Sequence, residues 1–362
     1  ENGRIVAVED VRDLPEGAAI FSIRFEKGRA DASFRLSRSP PRQVIGFRIG
    51  SVTPNGDTSA RIAEEFAALP GTSGFGVYRL SKNGPELVGG RDPQRQFAIG
   101  SSFKLYVLST LAHEIAEHRH RWSDVVTLDR RSIPSGQMQD WPRHAPVTLL
   151  TLATMMISIS DNTAADALID VLGRKAVEKE MLASGHADPA RTLPLLKTVE
   201  LFALKSGDPT RLQAYARADA KVRRELLDRW APMLDRAHID LGKLIGSNPN
   251  AIETVEWFAS AEDIAHILAR LRDLKDRTGL DILAINPMLG EGMAGDWAYS
   301  GYKGGSEPGV LNLSWLLQDK AGEWYVVSAS WNDPTHTLDE HRLIALGHRL
   351  IETLHRPPSP AK

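Results

Sequence analysis

From Phe103 to about residue 290 the apolar residues recur mostly at helical spacing, whereas the segments on both sides read as strands. That order limits the fold more than any other feature of the chain. Before the helical stretch, Ile62, Phe66 and Leu69 mark a helix beginning near Thr58 and ending at Pro70-Gly71. Gly74–Leu80 and Glu86–Gly89 then bracket Asn83-Gly84, a hairpin signal. After it, Val310–Gln318 and Glu323–Trp331 flank the turn Asp319–Gly322. A last helix, Leu338–Leu354, carries Leu343, Leu346, Leu350, Ile351 and Leu354 on one face. An antiparallel sheet flanked by terminal helices, with a large all-α lobe inserted, satisfies this order. The seam between two such lobes is a natural cleft.

The first fifty residues stand apart. Ala18–Arg24, Ala30–Leu36 and Val44–Ile49 read as three strands, too few for an independent domain. Residues 1–52 are therefore taken as a β-rich appendage, residues 53–356 as the main domain with its helical lobe at about 102–290, and 357–362 as a tail. A formal charge of -2 gives no electrostatic reason to expect nucleic acid or an anionic membrane as partner. No apolar run is long enough for a membrane span. The chain starts at Glu1 rather than Met, and a periplasmic or secreted location is expected, with the cytoplasm left open. Zero cysteines exclude a thiol nucleophile. The run from His113 to His118 has one residue too many for H-E-x-x-H, so neither a metal nor a cofactor is expected.

Three short motifs carry chemistry. Ser101-Ser102-Phe103-Lys104 puts a hydroxyl and an amine one helical turn apart, and the apolar flank Phe103–Leu108 can bury the amine and lower its pKa. Ser160-Asp161-Asn162 follows the apolar helix Thr148–Ile159. Its hydroxyl can relay a proton and the Asn162 amide can hold a substrate carbonyl, although Ser or Asp here would also cap the helix Thr163–Leu172. In Lys303-Gly304-Gly305-Ser306 the lysine adds positive charge. Gly304 and Gly305 let substrate lie against the strand edge, and the Ser306 amide can act as an oxyanion donor beside that of Ser101. Each motif alone has a bland reading. A second S-x-x-K, Ser300 to Lys303, is taken as coincidence. Order and spacing supply the strength: 59 residues separate Ser101 from Ser160, and 143 separate Ser160 from Lys303.

The set S-x-x-K, S-D-N and a lysine-glycine strand motif resembles the signature of class A β-lactamases and penicillin-binding proteins, over about Thr58 to Leu354. The resemblance implies a serine β-lactamase-like fold and a serine hydrolase acylated on Ser101. Lys104 and Ser160 would move protons, Lys303 would help bind a carboxylate, and the amides of Ser101 and Ser306 would form the oxyanion hole. Two departures follow. Lys303-Gly304-Gly305 lacks the hydroxyl usual beside the lysine. The deacylating glutamate would be Glu200, 40 residues beyond Ser160, but Leu204 stands where an asparagine belongs. Glu200 is equally readable as a structural acid paired with Lys197 or Lys205, and Ser206 is a lesser polar candidate for the same loop. The chain also resembles a divergent branch that includes a cephalosporin-esterase-like protein of clavulanic acid biosynthesis, in which a small α/β domain precedes the hydrolase domain. Residues 1–52 would then be the remnant of such a domain. Together these readings favour an esterase or weak β-lactam-processing enzyme acting on small-molecule esters, β-lactams or peptidoglycan-derived compounds. The alternatives are an efficient class A-type β-lactamase or DD-peptidase, and a penicillin-recognising sensor that acylates without turnover.

Overall fold

The computed structural model describes residues 2–244 and 248–355, so the expected tail 357–362 lies outside the described residues. The chain opens with an antiparallel sheet in the order β1 (Ile5–Leu14), β2 (Ala18–Phe25), β3 (Gly28–Leu36) and β4 (Val44–Ile49), with a short β5 (Thr53–Pro54) also paired to β3. The sequence predicts three of these five strands and misses β1 and the two-residue β5. The register of β1 to β2 shifts between Glu9 and Arg12, and Asp10 has φ 52°, so a bulge breaks the alternation that pattern reading relies on. This sheet rests against α12 (Glu291–Ala294), where a Cβ on Gly292 would stand 2.6 Å from Asp31 Oδ2.

The second sheet is built from both ends of the remaining chain. After α1 (Ser59–Ala67) come β6 (Thr72–Ser81) and β7 (Gly84–Arg91), and near the C-terminus come β12 (Tyr299–Glu307), β13 (Val310–Gln318) and β14 (Trp324–Asn332). Their order is β12-β13-β14-β6-β7, antiparallel throughout, which leaves β12 as an edge. The period-two alternation gives each face its own core. Phe75, Val77, Leu313 and Trp315 pack with Ile62 and Phe66 of α1 and with Leu343 and Leu350 of α13 (Glu340–His355). Tyr78, Leu80, Leu316 and Val326 face the helical lobe.

That lobe begins at β8 (Phe97–Ala98) and a 3-10 turn, Gly100–Phe103, which runs into α2 (Lys104–Ala116). The pair β9 (Val125–Leu128) and β10 (Ala145–Thr148) leads to α3 (Leu149–Ser158), α4 (Asn162–Leu172) and α5 (Arg174–Ala183). Next come α6 (Thr198–Ser206), α7 (Pro209–Arg217), α8 (Ala220–Trp230) and the short α9 (Leu241–Leu244). β11 (Phe258–Ala259), which pairs with β8, precedes α10 (Ala261–Arg272) and α11 (Thr278–Leu283). Side-chain caps fix several starts. Thr58 accepts from Arg61 N at 3.2 Å, and Ser260 and Asp263 form a reciprocal capping box at 3.0 and 2.8 Å. Each such cap contributes about 1 kcal/mol. The helical insert between two strand groups is thus present as the sequence order required.

Candidate active site

The three motifs meet on one side of the edge strand β12. Lys104 is the hub: its Nζ lies 3.1 Å from Ser101 Oγ, 3.1 Å from Ser160 Oγ, 2.7 Å from Ser160 O and 2.7 Å from Asn162 Oδ1. Lys303 Nζ reaches the same Ser160 Oγ at 3.1 Å and also donates to Gly304 O. Local structure explains the convergence. The turn Gly100–Phe103 places Ser101 and Lys104 on one face at the start of α2. Ser160 sits between α3 and α4 with φ 58°, a left-handed conformation costly for serine, and both its carbonyl and its hydroxyl reach Lys104. Asp161 does the capping, accepting from Ala164 N at 2.9 Å and also from Gln137 N and Met138 N at 2.6 and 2.8 Å. The cap and the chemistry therefore belong to neighbouring residues rather than competing for one.

Hydrogen-bond capacity fixes what Lys104 can do. Ser160 O and Asn162 Oδ1 can only accept, so two N–H groups of Lys104 are committed to them at 2.7 Å. A neutral amine has two N–H groups and one lone pair, which is then left for a hydroxyl proton from Ser101 or Ser160. Burial favours that neutral form. Lys104 is fully buried, and its pKa is held well below the usual lysine range chiefly by that burial, with Lys303 adding to the effect. Asp166 and Asp161 act in the opposite sense. Lys303 is itself pushed down to about 7 by burial. Ser160 Oγ thus lies between two amines of lowered basicity, an arrangement suited to passing a proton.

Beside Ser101, β12 and the Gly100–Phe103 turn touch backbone to backbone. A Cβ on Gly305 would overlap Ile99 O and Ser101 N, and one on Gly100 would stand 3.2 Å from Ser306 N. Only glycine at 305 permits this approach, which sets Ser101 N against Gly305 and Ser306 N against Gly100. The missing hydroxyl at 304 also has a steric cause, because a Cβ there would run into the Tyr302 hydroxyl. Next to Ser306 a cavity of about 120 Å³ is lined in part by Pro134, Phe202, Asn250 and Glu307.

Two residues expected at the site are hydrogen-bonded elsewhere. Glu200 is gripped by Arg174 at 2.6 and 2.9 Å and accepts from Lys197 N at 2.8 Å, capping α6. The expected pairing with the side chain of Lys197 or Lys205 is also replaced: Lys197 Nζ goes to Asp170, and Lys205 to Glu256 and Glu307. Among the described residues no carboxylate is hydrogen-bonded to Ser101, Lys104 or Ser160. Ser206 Oγ donates to Phe202 O at 2.7 Å and accepts from Asp240 N at 3.1 Å, holding a helix end. Sequence reading missed Asp166. This buried acid of α4 accepts from Ser132 Oγ, Thr198 N, Thr198 Oγ1 and Val199 N at 2.6 to 2.9 Å, so it ties Ser132 and the start of α6 to the S-D-N helix. Burial nonetheless raises its pKa. The available signal was an acid flanked by Ala164, Ala165, Ala167, Leu168 and Ile169.

A family model described as the β-lactamase enzyme family matches residues 57–353. The chain belongs to that family. A comparison with curated proteins finds no match. Among solved structures this β-lactamase-family chain resembles the β-lactamase of Sphaerobacter thermophilus, at 19% identity and TM-score 0.57, over 83% of this chain and 98% of that one. It also resembles a point variant of PBP-A solved as an acyl-enzyme complex with penicillin G, at 17% identity and TM-score 0.56, over 82% and 95% of the two chains. A third is a class A β-lactamase variant of the last common ancestor of Gram-negative bacteria, bound to a nitrobenzotriazole transition-state analogue. It matches at 16% identity and TM-score 0.56, over 82% and 99%. At such identities the likeness speaks for the fold. Family membership makes the chain a serine hydrolase of the β-lactamase type. No helix among the described residues is long and apolar enough to cross a membrane.

Proposed function

We propose that the chain hydrolyses esters or amides, β-lactams among them, through an acyl-enzyme on Ser101. The observation that carries this reading is the contact set of buried Lys104, whose two short acceptors would leave the lone pair of the neutral amine to the Ser101 and Ser160 hydroxyls. The substrate carbonyl oxygen would sit between the amides of Ser101 and Ser306. Neutral Lys104 would take the Ser101 proton as Oγ attacks the carbonyl carbon. The proton would return to the leaving oxygen or nitrogen through Ser160 Oγ, which both lysines contact. Lys303, when protonated, would hold a substrate carboxylate, and the Asn162 amide and Gly305 would border the acyl group.

Deacylation sets the substrate preference. Glu200 is committed to Arg174 and to the α6 cap, so water would have to be activated by the Lys104–Ser160 pair alone. That arrangement favours esterase or slow β-lactam-processing activity over efficient β-lactamase or DD-peptidase turnover. A penicillin-recognising sensor is the same chemistry halted at the acyl-enzyme. Time-resolved intact mass with a penicillin, a cephalosporin and a simple activated ester separates these cases. We expect an adduct on the wild type and on Ser300→Ala, none on Ser101→Ala, and decay of the ester adduct with product release. A penicillin adduct that never decays, with no ester turnover, would support the sensor. Equal labelling loss in Ser300→Ala and Ser101→Ala would refute the assignment of the nucleophile.

A further inference from the structure

Beside the site lies a buried charge cluster that the hydrolytic scheme does not use. Lys205 Nζ of α6 pairs with Glu256 Oε1 at 2.6 Å and with Glu307 Oε1 at the end of β12. Side-chain exposures are 2% for Lys205, 0% for Glu256 and 11% for Glu307, so the three are essentially removed from water. Sustaining charged groups there requires that each have a function or a close partner.

The connections lead to both candidate oxyanion donors. Glu307 directly follows Ser306 on β12. Glu256 accepts from Trp257 N at 3.1 Å through its other oxygen. Trp257 in turn seats the nucleophile's turn. Its carbonyl accepts from Ile99 N at 2.9 Å, and its ring stacks on Phe103 with centroids 4.0 Å apart and planes 11° apart. The cluster therefore bridges the strand end that carries one amide and the segment that supports the other.

Resting on the hydrolase reading above, we propose that Lys205, Glu256 and Glu307 are positioning residues that fix the separation of the Ser101 and Ser306 amides and keep that spot free of net negative charge. Two carboxylates share one ammonium, so neutrality needs one proton. Burial, first, and the adjacent Glu256 hold the Glu307 carboxyl well above the usual range, so Glu307 is the acid that keeps the proton. The two acids hold Lys205 above its usual pKa, so the ammonium persists. Among the described residues, two further charges lie near the cluster. Lys243 of α9 lines the same cavity and donates to Ser206 O at 3.3 Å, and Lys303 lies on the same strand as Glu307. Asn250, neutral, donates to Lys205 O at 2.8 Å. Loss of the proton at alkaline pH leaves an uncompensated negative charge next to the two donors, where it opposes a developing oxyanion.

The test uses the full chain and an activated ester lacking a carboxylate, so that Lys303 binding is not read. Single-turnover acylation rate and substrate dissociation constant are measured from pH 6 to 9.5 for wild type, Glu307→Ala and Glu307→Gln, with folding checked by melting temperature. We expect Glu307→Ala to slow acylation on the order of tenfold, with the dissociation constant little changed, as slight misplacement of donors does. Glu307→Gln, which can donate to Glu256 as the protonated acid does, should restore most of the rate and remove the alkaline fall. A folded Glu307→Ala with the wild-type rate and pH profile would overturn the proposal. So would a Gln variant as slow as Ala that keeps the alkaline fall. Should Glu307→Ala fail to fold, the pH profile of Glu307→Gln decides alone. A wild type that forms no adduct on Ser101 would instead refute the hydrolase reading, and this inference would fall with it.

Discussion

Replacing Lys303 by methionine should make the protein more stable at pH 6 while disabling it. Lys303 is 3% exposed, and burial brings its pKa from 10.5 to about 7. At about 1.4 kcal/mol per pH unit, that displacement corresponds to about 5 kcal/mol of penalty on the charged form. The unfolded chain carries the proton at any pH below 10.5, whereas the folded chain releases it above about 7. Below pH 7 the folded state therefore bears the full penalty, and between about 7 and 10.5 its stability rises relative to a variant with no ionisable group. Methionine fills a similar volume without the charge. It loses the hydrogen bonds to Ser160 Oγ and Gly304 O, which together contribute about 1–3 kcal/mol. The net expectation at pH 6 is a gain of about 2–4 kcal/mol, narrowing by about 1.4 kcal/mol per pH unit above 7.

Urea unfolding followed by tryptophan fluorescence at pH 6, 7, 8, 9 and 10 would measure the gap. A variant no more stable than wild type at pH 6 would refute the argument. So would a gap that does not change with pH, because it would show that the lysine is not held in a desolvated site. The expected combination, higher stability with lost turnover, is the mark of a group kept for chemistry against its own folding cost.

Other outcomes follow from the same geometry. Lys104→Met should slow acylation by about 10²–10⁴, the usual contribution of a positioned base, as read by single-turnover mass spectrometry. For a carboxylate-bearing β-lactam, kcat/KM should fall as pH rises through about 7 and Lys303 loses its proton, while a neutral ester measured in parallel should not share that fall. Gly305→Ala should abolish detectable acylation, since the new methyl collides with Ile99 O and Ser101 N, and its melting temperature should drop as well. Glu200→Gln should leave adduct decay within about threefold of wild type, far from the 10²–10⁴ loss expected for a general base. It should still lower stability, because it breaks a paired carboxylate that Arg174 and Lys197 N share.

The architecture was legible because its signals are redundant. Gly74–Leu80 and Glu86–Gly89 bracket the turn Asn83-Gly84, and Leu343, Leu346, Leu350 and Ile351 form a stripe, so these elements announce themselves by more than one residue. β1 was not legible, because the bulge at Asp10 breaks its period and a single strand carries no second signal. At the site, Ser101, Lys104, Ser160, Asn162 and Lys303 could be named from spacing, and the structure brings them together around one amine. Spacing to Glu200 was no guide. A residue's distance along the chain cannot say which of its neighbours will reach it first, and Arg174, 26 residues earlier on another helix, does.

The residues that reading missed share one property, which explains why they were missed. Asp166, Glu256, Glu307 and Lys205 are charged side chains that act inside the fold through partners distant in sequence. Along the chain each looks like an ordinary surface charge, and no local pattern distinguishes it. Their number near one cleft is nonetheless informative. A fold could cover these positions with apolar residues at similar or better stability. What apolar residues cannot do is fix the backbone of β12, α4 and the nucleophile's turn through directed bonds. The site demands that rigidity, since Gly305 and Ser101 already stand in backbone contact with no room for adjustment. On the acyl-enzyme reading, the buried charges and the close-packed glycines are two parts of one requirement: the Ser101 hydroxyl and the amides of Ser101 and Ser306 must be held in place before the substrate arrives.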